Sequence, residues 1–152
     1  MEHTDLVYKY FSDDDFLRIS GKIKEVELTT SGEIRVLFRE KKSLFAKNKS
    51  IAQIAKDEFY RLKMDNTRDK TGILLFFLLK DRSFYICADS GINSLVEQST
   101  WDNIRNDIQN SFKEGMFLDG ILNGLNAVGE VLSKHFPRKS DDTNELTDKV
   151  EF

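Results

Sequence analysis

Four acidic residues have the types and the spacing that could support chemistry in this sequence. Glu33 precedes an alternating apolar segment, Asp65 and Asp69 share one polar segment, and Asp89 follows another apolar segment. Carboxylates that lie together repel each other unless a cation or hydrogen-bond donors compensate. Because Ca²⁺ and Mg²⁺ take oxygen ligands from carboxylates, carbonyls and water, these acids predict a divalent-cation site if the fold brings them together.

The spacing of the apolar residues predicts the elements that would position these acids. Ser12 followed by three aspartates is typical of a helix start, because the hydroxyl caps free N–H groups and the carboxylates face the positive end of the helix. Further on, alternating residues indicate strands and a period near 3.6 indicates helices. The expected elements are a helix from Ser12 through Val26, a strand over 34–38, a helix over 51–62, strands over 73–79 and 84–88, and helices through 101–112 and 121–132.

Local residue types predict where the last two helices begin and end. Ser94 and Glu97 have the spacing of a capping box, Gly115 suits a helix C-terminus, and Pro137 cannot continue a helix. Gly120 and Gly124 lie one turn apart and would permit a neighbouring element to approach closely. We therefore predict one domain over residues 1–137, and a disordered polar tail over residues 138–152.

The order of the strands decides whether the four acids meet. A strand, a helix and a second strand in succession favour a parallel pair with a right-handed crossover. Residues 80–83 leave room only for a tight turn, so the third strand should return antiparallel. The run over 73–79 is apolar on both faces, which makes this strand central and covered on both sides. The first two strands then begin where the third ends, and this rim carries Glu33, Asp65, Asp69 and Asp89.

The acids also have a purely structural interpretation. Turn aspartates commonly hydrogen-bond to their own backbone, so each acid could cap a turn or a helix, or pair with a nearby cation. The candidate cations are Arg68, Lys70 and Arg82. Asp119 could either cap the last helix or face the rim, and the sequence leaves both readings open.

Composition limits the classes of partner and compartment. A net charge of −3 over 152 residues provides no broad cationic field for nucleic acid or anionic lipid. Cys87 is the only cysteine, so no internal disulfide can form, a buried thiol is expected, and a reducing compartment fits best. The chain does not open on a signal-like segment, and its longest apolar run is too short to cross a bilayer. We expect a cytoplasmic monomer with no nucleic-acid partner and no membrane span.

Ordered motifs along residues 12–137 resemble the TPM domain family, which includes thylakoid-lumen phosphatase-like and photosystem II repair proteins. The matching residues are Thr30-Ser31-Gly32-Glu33-Ile34-Arg35-Val36, Met64, Thr67, Asp69, Gly72-Ile73-Leu74-Leu75, Ala88-Asp89-Ser90-Gly91-Ile92, Trp101, Phe112, Gly115, Gly120, Gly124 and His135-Phe136-Pro137. The resemblance implies an α/β fold, a three-layer α/β/α sandwich with a small mixed sheet, and divalent-cation binding, notably of Ca²⁺. It also implies a weak acid-phosphatase activity, described for plant relatives, although many relatives carry a glycine-rich segment ending in Leu-Glu where this chain has residues 88–92.

These observations lead to three functional hypotheses. The preferred one is a regulatory or interaction domain that binds Ca²⁺, or alternatively Mg²⁺, through Asp69 and Asp89, with Glu33 and Asp65 as further ligands. The alternative is a metal-dependent phosphomonoesterase, in which the cation polarises the phosphoryl group and activates water while Arg68 or Arg82 holds the phosphate. The third is a module that recognises a partner protein through the rim.

Overall fold

The computed structural model describes residues 6–138 and Val150, so nearly all of the predicted tail over 138–152 lies outside the described residues. The elements are α1 Val7–Tyr10, α2 Asp13–Glu27, β1 Glu33–Arg39, a 3₁₀ turn Leu44–Ala46, α3 Ile51–Arg61, β2 Gly72–Leu78, β3 Ser83–Ala88, α4 Ser90–Asn93, α5 Gln98–Lys113 and α6 Phe117–His135. Every element predicted from the sequence is present. The short helices α1 and α4 and the 3₁₀ turn were not predicted.

The three strands form one mixed sheet in the order β1-β2-β3. β1 and β2 are parallel, with Glu33 opposite Gly72, and β3 is antiparallel to β2, with Ala88 opposite Ile73. The predicted strand order and directions are confirmed. β1 and β2 therefore begin at the end of the sheet where β3 finishes, and we call this end the acidic rim, for Glu33, Asp65, Asp69 and Asp89.

Helices cover the sheet on both faces, because alternate residues of each strand point to opposite sides. On one face, α2, α5 and α6 bury a core that includes Ile34, Ile73 and the fully buried Trp101. On the other face, α3 packs against a smaller core that includes Leu37 and Phe76. The architecture is a three-layer α/β/α sandwich, as predicted, and the central strand β2 is buried along its whole length.

The helix starts follow the sequence in one case and depart from it in another. At α2 the predicted cap is present: the Ser12 hydroxyl accepts from the Asp15 N–H at 3.1 Å, and the Asp15 carboxylate accepts from the Ser12 N–H at 2.9 Å. The predicted capping box of Ser94 and Glu97 is wrong. α5 begins at Gln98 without a side-chain cap, because the Ser94 hydroxyl instead donates to the Gly91 carbonyl at 2.9 Å and closes the unpredicted helix α4.

The end of α6 is joined to the start of β1. Thr30, which is fully buried, donates from its hydroxyl to the Phe136 carbonyl at 2.5 Å and accepts from the Gly32 N–H at 3.1 Å. Thr30 also forms an isolated bridge with Pro137, the residue predicted to stop the helix. Gly124 permits the predicted close packing of α5 and α6, since an added Cβ would lie 2.5 Å from a methyl carbon of Ile108.

Candidate cation site at the acidic rim

Two of the predicted acids flank a glycine at the rim. Glu33 pairs with Gly72 across the parallel ladder, and Gly72 accepts a hydrogen bond at 2.9 Å from the Asp89 N–H on its other side. Neighbouring strands lie about 4.8 Å apart, so the Glu33 and Asp89 Cα atoms are separated by about 10 Å. The glycine leaves no side chain between the two acids.

Asp89 holds the most unusual side chain at the rim. It is the N-cap of α4, and its Oδ1 accepts from the Ser90 N–H at 2.7 Å. Its other oxygen, Oδ2, is buried and has no hydrogen-bond partner among the described residues, while the residue as a whole is only 9% exposed. Buried carboxylate oxygens normally have hydrogen-bond partners or metal ions. The N-cap role predicted by the structural interpretation therefore accounts for only one of the two oxygens.

The loop before β2 lies directly against Asp89 and α4. The Gly91 N–H donates to the Lys70 carbonyl at 2.9 Å, and an added Cβ at Gly91 would lie 2.2 Å from the Asp69 carbonyl oxygen. Lys70 adopts a φ of 57°, and the buried Thr67 hydroxyl accepts from the Thr71 N–H at 3.2 Å. These contacts hold backbone carbonyls of the loop beside the N-terminus of α4.

A second glycine permits another carbonyl to approach the rim. An added Cβ at Gly72 would lie 2.7 Å from the Met64 carbonyl oxygen, so the chain that leaves α3 passes directly over the start of β2. Met64 itself is fully buried in the smaller core. The rim thus contains main-chain oxygens as well as carboxylates, and both are ligand types that Ca²⁺ accepts.

The remaining acids do not form one cluster with Asp89. The Asp69 carboxylate accepts from the Arg68 guanidinium at 3.1 Å, as the structural interpretation predicted, and the Lys70 ammonium donates to the Asp65 carbonyl at 2.6 Å. Glu33 is 4% exposed, and the buried Arg35 follows on the same face of β1. Within residues 6–138, no group of three or more His, Cys, Asp or Glu side chains is placed to hold a metal ion.

The Cys87 thiol lies near the rim, but it is protonated and is therefore not a candidate ligand for a cation. Burial raises the pKa of Cys87 to about 11, Lys56 opposes this shift, and the Asp89 carboxylate adds to it. Because the thiolate, not the thiol, is the form that binds metals, Cys87 remains a neutral, half-buried side chain at physiological pH. Its predicted structural role fits this environment.

Three further features lie at the end of the sheet opposite the rim, which we call the far end: Arg82, Asp119 and two surface cavities. Arg82 is in the β2–β3 turn, opposite the rim, so it cannot assist chemistry at Asp89. Asp119 is in the first turn of α6, whose C-terminal end meets β1, and it therefore also lies away from the rim. Two surface cavities, of about 350 and 530 Å³, are lined by residues of the far end, Arg82 and Phe45 among them.

Sequence reasoning found the rim but missed the oxygens that the backbone supplies. The signals were Gly91 and Gly72, because a glycine next to a predicted loop can indicate close backbone approach. Only the folded chain shows which carbonyls approach them, namely those of Asp69, Lys70 and Met64.

No described helix is long and apolar enough to cross a membrane.

Comparison with known proteins gives a consistent family and fold. The family model of the TPM domain matches residues 7–131. The NMR structure of the BA42 protein from the psychrophilic bacterium Bizionia argentinensis is similar at 38% sequence identity and a TM-score of 0.82, over 93% of this chain and 94% of that chain. A search of functionally curated proteins gave no match.

Two more distant structures share the fold alone. One is the N-terminal domain of a protein from P. gingivalis, with 17% identity, a TM-score of 0.67, and coverage of 84% of this chain and 79% of that chain. The other is the N-terminal domain of the cg2496 protein from Corynebacterium glutamicum, with 14% identity, a TM-score of 0.60, and coverage of 86% and 78%. All three comparisons support the same α/β architecture.

Proposed function

This chain belongs to the TPM domain family, and we propose that it binds one hard divalent cation, Ca²⁺ in preference to Mg²⁺, at the acidic rim. Asp89 is the central ligand, and Asp69, Glu33 and Asp65 are the further candidates. The observation that carries the proposal is the buried Asp89 Oδ2 without a hydrogen-bond partner in the described part of the chain. A bound cation would supply the charge compensation that this oxygen lacks.

Ca²⁺ fits the mixture of donors better than Mg²⁺ does. Ca²⁺ accepts six to eight oxygen ligands in flexible geometry, including carbonyls, whereas Mg²⁺ demands a near-octahedral arrangement and retains water. The rim offers few carboxylates but several main-chain oxygens, with those of Asp69 and Lys70 held against Gly91. A site of this kind can complete its coordination with carbonyls and water.

The ion pair between Asp69 and Arg68 is weak enough for a cation to disrupt. Its carboxylate pairs with Arg68, but both side chains are nearly half exposed, at 43% and 48%. Exposed ion pairs of this kind contribute at most about 1 kcal/mol, so a cation can compete for the Asp69 carboxylate. Glu33 ranks lower, because the buried Arg35 already places a positive charge on the same face of β1.

A Ca²⁺ titration followed by backbone amide NMR tests the proposal. We expect the largest shifts in residues 64–72 and 88–93. Loss of a ligand should weaken binding by at least the roughly tenfold that loss of an outer-shell partner causes, so Asp89→Asn should lower the affinity by about tenfold or more. Asp107→Asn, at an exposed position on α5, is the matched control and should leave the affinity unchanged.

Thermal unfolding provides a second readout. A ligand that binds only the folded state at 100 times its Kd adds about 2.7 kcal/mol to the free energy of unfolding. Ca²⁺ should therefore raise the Tm of the wild type and of Asp107→Asn equally, and that of Asp89→Asn clearly less, since a tenfold weaker site adds only about 1.4 kcal/mol at the same Ca²⁺ concentration. Equal Ca²⁺ responses in all three proteins, or shifts centred outside the rim, would show that the site is misplaced.

Hydrolysis of phosphomonoesters requires more than the cation. Arg82 lies at the far end of the sheet, and the Arg68 guanidinium contacts Asp69, so the geometry favours binding over catalysis. A chromogenic phosphate assay with and without Ca²⁺ separates the two. Turnover that depends on the cation and disappears in Asp89→Asn would establish a phosphatase, whereas unchanged activity in Asp89→Asn would point to a contaminant.

A further inference from the structure

The end of the sheet opposite the acidic rim carries an exposed apolar pair among cations. Leu44 and Phe45 form the tip of the 3₁₀ turn after β1 and are 90% and 95% exposed. Single exposed leucines are normal on a protein surface, but two adjacent large apolar side chains with nearly all of their surface exposed contribute little to the packing of the fold. They are available to a medium or a partner outside it.

The turn that presents this pair is an ordered structure. The Ala46 N–H donates to the Ser43 carbonyl at 3.1 Å, and the Lys49 N–H donates to the Ala46 carbonyl at 3.0 Å. Ala46 packs against the smaller core and anchors the turn, while Leu44 and Phe45 project outward. The apolar pair is therefore held in the exposed position by the local fold.

Cations surround the apolar pair. The segment over 41–49 contains four lysines and no acidic residue, although the whole chain has a net charge of −3. The β2–β3 turn adds two more cations beside it, since the Lys80 N–H donates to the Glu40 carbonyl at 2.8 Å. We call this surface the basic end; it consists of Lys41, Lys42, Leu44, Phe45, Lys47, Lys49, Lys80 and Arg82.

Most of these cations are not neutralised within the protein. Lys49 pairs with Asp57 at 2.7 Å, and Lys42 lies 3.8 Å from Asp81. In the described part of the chain, the exposed side chains of the other four make no ion pair. They are Lys41, Lys47, Lys80 and Arg82.

We propose that the basic end is a docking surface for anionic phospholipid membranes. Apolar side chains inserted at the headgroup boundary, with lysines around them, are the combination by which peripheral proteins bind such surfaces. The shape and the charge of this surface both complement an anionic bilayer. The narrow apolar tip can insert between lipid headgroups, and the cations around it are attracted to the negative surface charge. Four acids also lie at this end, namely Glu40, Asp57, Glu58 and Asp81, but the six lysine and arginine side chains of the basic end outnumber them.

Vesicle sedimentation with the full chain tests the proposal. The probes are vesicles of phosphatidylcholine mixed with phosphatidylserine, and vesicles of phosphatidylcholine alone. A chelator is present throughout, so that no cation can bridge the acidic rim to lipid. We expect binding to the mixed vesicles only, and weaker binding as salt shortens the Debye length.

Variants separate the apolar from the electrostatic contribution. Phe45→Ala should lower the partition coefficient by about tenfold or more, because the variant loses the free energy gained by burying an aromatic side chain in the bilayer. Replacing both Lys41 and Lys47 with glutamine should lower it by about 25-fold, at about fivefold per lysine. Leu28→Ala is the matched control, because Leu28 is 72% exposed but lies outside the basic end. Near-UV circular dichroism checks that each variant is folded.

Fluorescence distinguishes insertion from simple adsorption. In Phe45→Trp, tryptophan emission should shift to the blue on binding and be quenched by brominated lipid, whereas the buried Trp101 of the wild type should not respond. No binding to mixed vesicles, equal binding to both vesicle types, or an equal effect of Leu28→Ala and Phe45→Ala would overturn the proposal.

Discussion

Gly91→Ala tests how closely the loop before β2 is held against Asp89. The added Cβ would lie 2.2 Å from the Asp69 carbonyl oxygen and 2.5 Å from that of Lys70. Both are backbone atoms, so the loop must move, and the 2.9 Å bond from the Gly91 N–H to Lys70 is lost or lengthened. Overpacking costs about 1–3 kcal/mol and the hydrogen bond about 1 kcal/mol, while alanine recovers about 1 kcal/mol of helix propensity. We expect a net loss of about 1–3 kcal/mol.

Urea unfolding followed by the fluorescence of Trp101 measures this loss. The matched control is Gly21→Ala in α2, where no atom lies within 4 Å of the added Cβ apart from the adjacent residues and the backbone of α2 itself. That change should increase the free energy of unfolding by up to about 1 kcal/mol, because alanine is the better helix former. If Gly91→Ala is as stable as the wild type and the amide shifts of residues 65–71 are unchanged, the close approach does not constrain the loop and the reasoning is refuted.

Two further predictions concern buried groups. Thr30→Val removes a hydroxyl that bonds to both Phe136 and Gly32, so urea unfolding should show a loss of about 2–3 kcal/mol; an unchanged midpoint would mean that the join between α6 and β1 contributes little. Burial raises the pKa of Cys87 to about 11, so iodoacetamide should alkylate the folded chain far more slowly than the urea-unfolded chain at pH 8. Equal alkylation rates would contradict the burial. Because this pKa is raised by folding, the stability that the neutral thiol contributes is present below pH 9 and is lost as the pH rises to about 11.

The sheet could be predicted because its determinants are local and strong. The run over 73–79 is apolar on both faces, and the four residues after it leave room only for a turn, so the position of β2 and the direction of β3 follow from the sequence. The placement of Glu33 beside Gly72 then depends only on register. The acidic rim is a consequence of strand order, which sequence patterns specify well.

The orientation of the loop side chains could not be predicted. Lys63 and Lys70 have φ values of 59° and 57°, and such left-handed backbone in lysine follows from tertiary contacts rather than from propensity. The left-handed backbone at Lys70 accompanies an orientation of Asp69 in which the carboxylate contacts Arg68 and the main-chain carbonyl faces Gly91. Helix α4 escaped prediction for another reason, since four residues are too few to show a helical period.

The two proposed surfaces lie at opposite ends of the same strands, and this placement makes their independence testable. β1 runs from Glu33 at the acidic rim to Arg39 beside the basic end. A chain that docks through Phe45 would hold the acidic rim at the end away from the lipid, well beyond a Debye length of about 8 Å. Asp89→Asn should therefore bind anionic vesicles as the wild type does in chelator, and Phe45→Ala should retain the wild-type affinity for Ca²⁺. If either variant loses both activities, the charges of the two ends are coupled and the separation argued from strand direction is wrong.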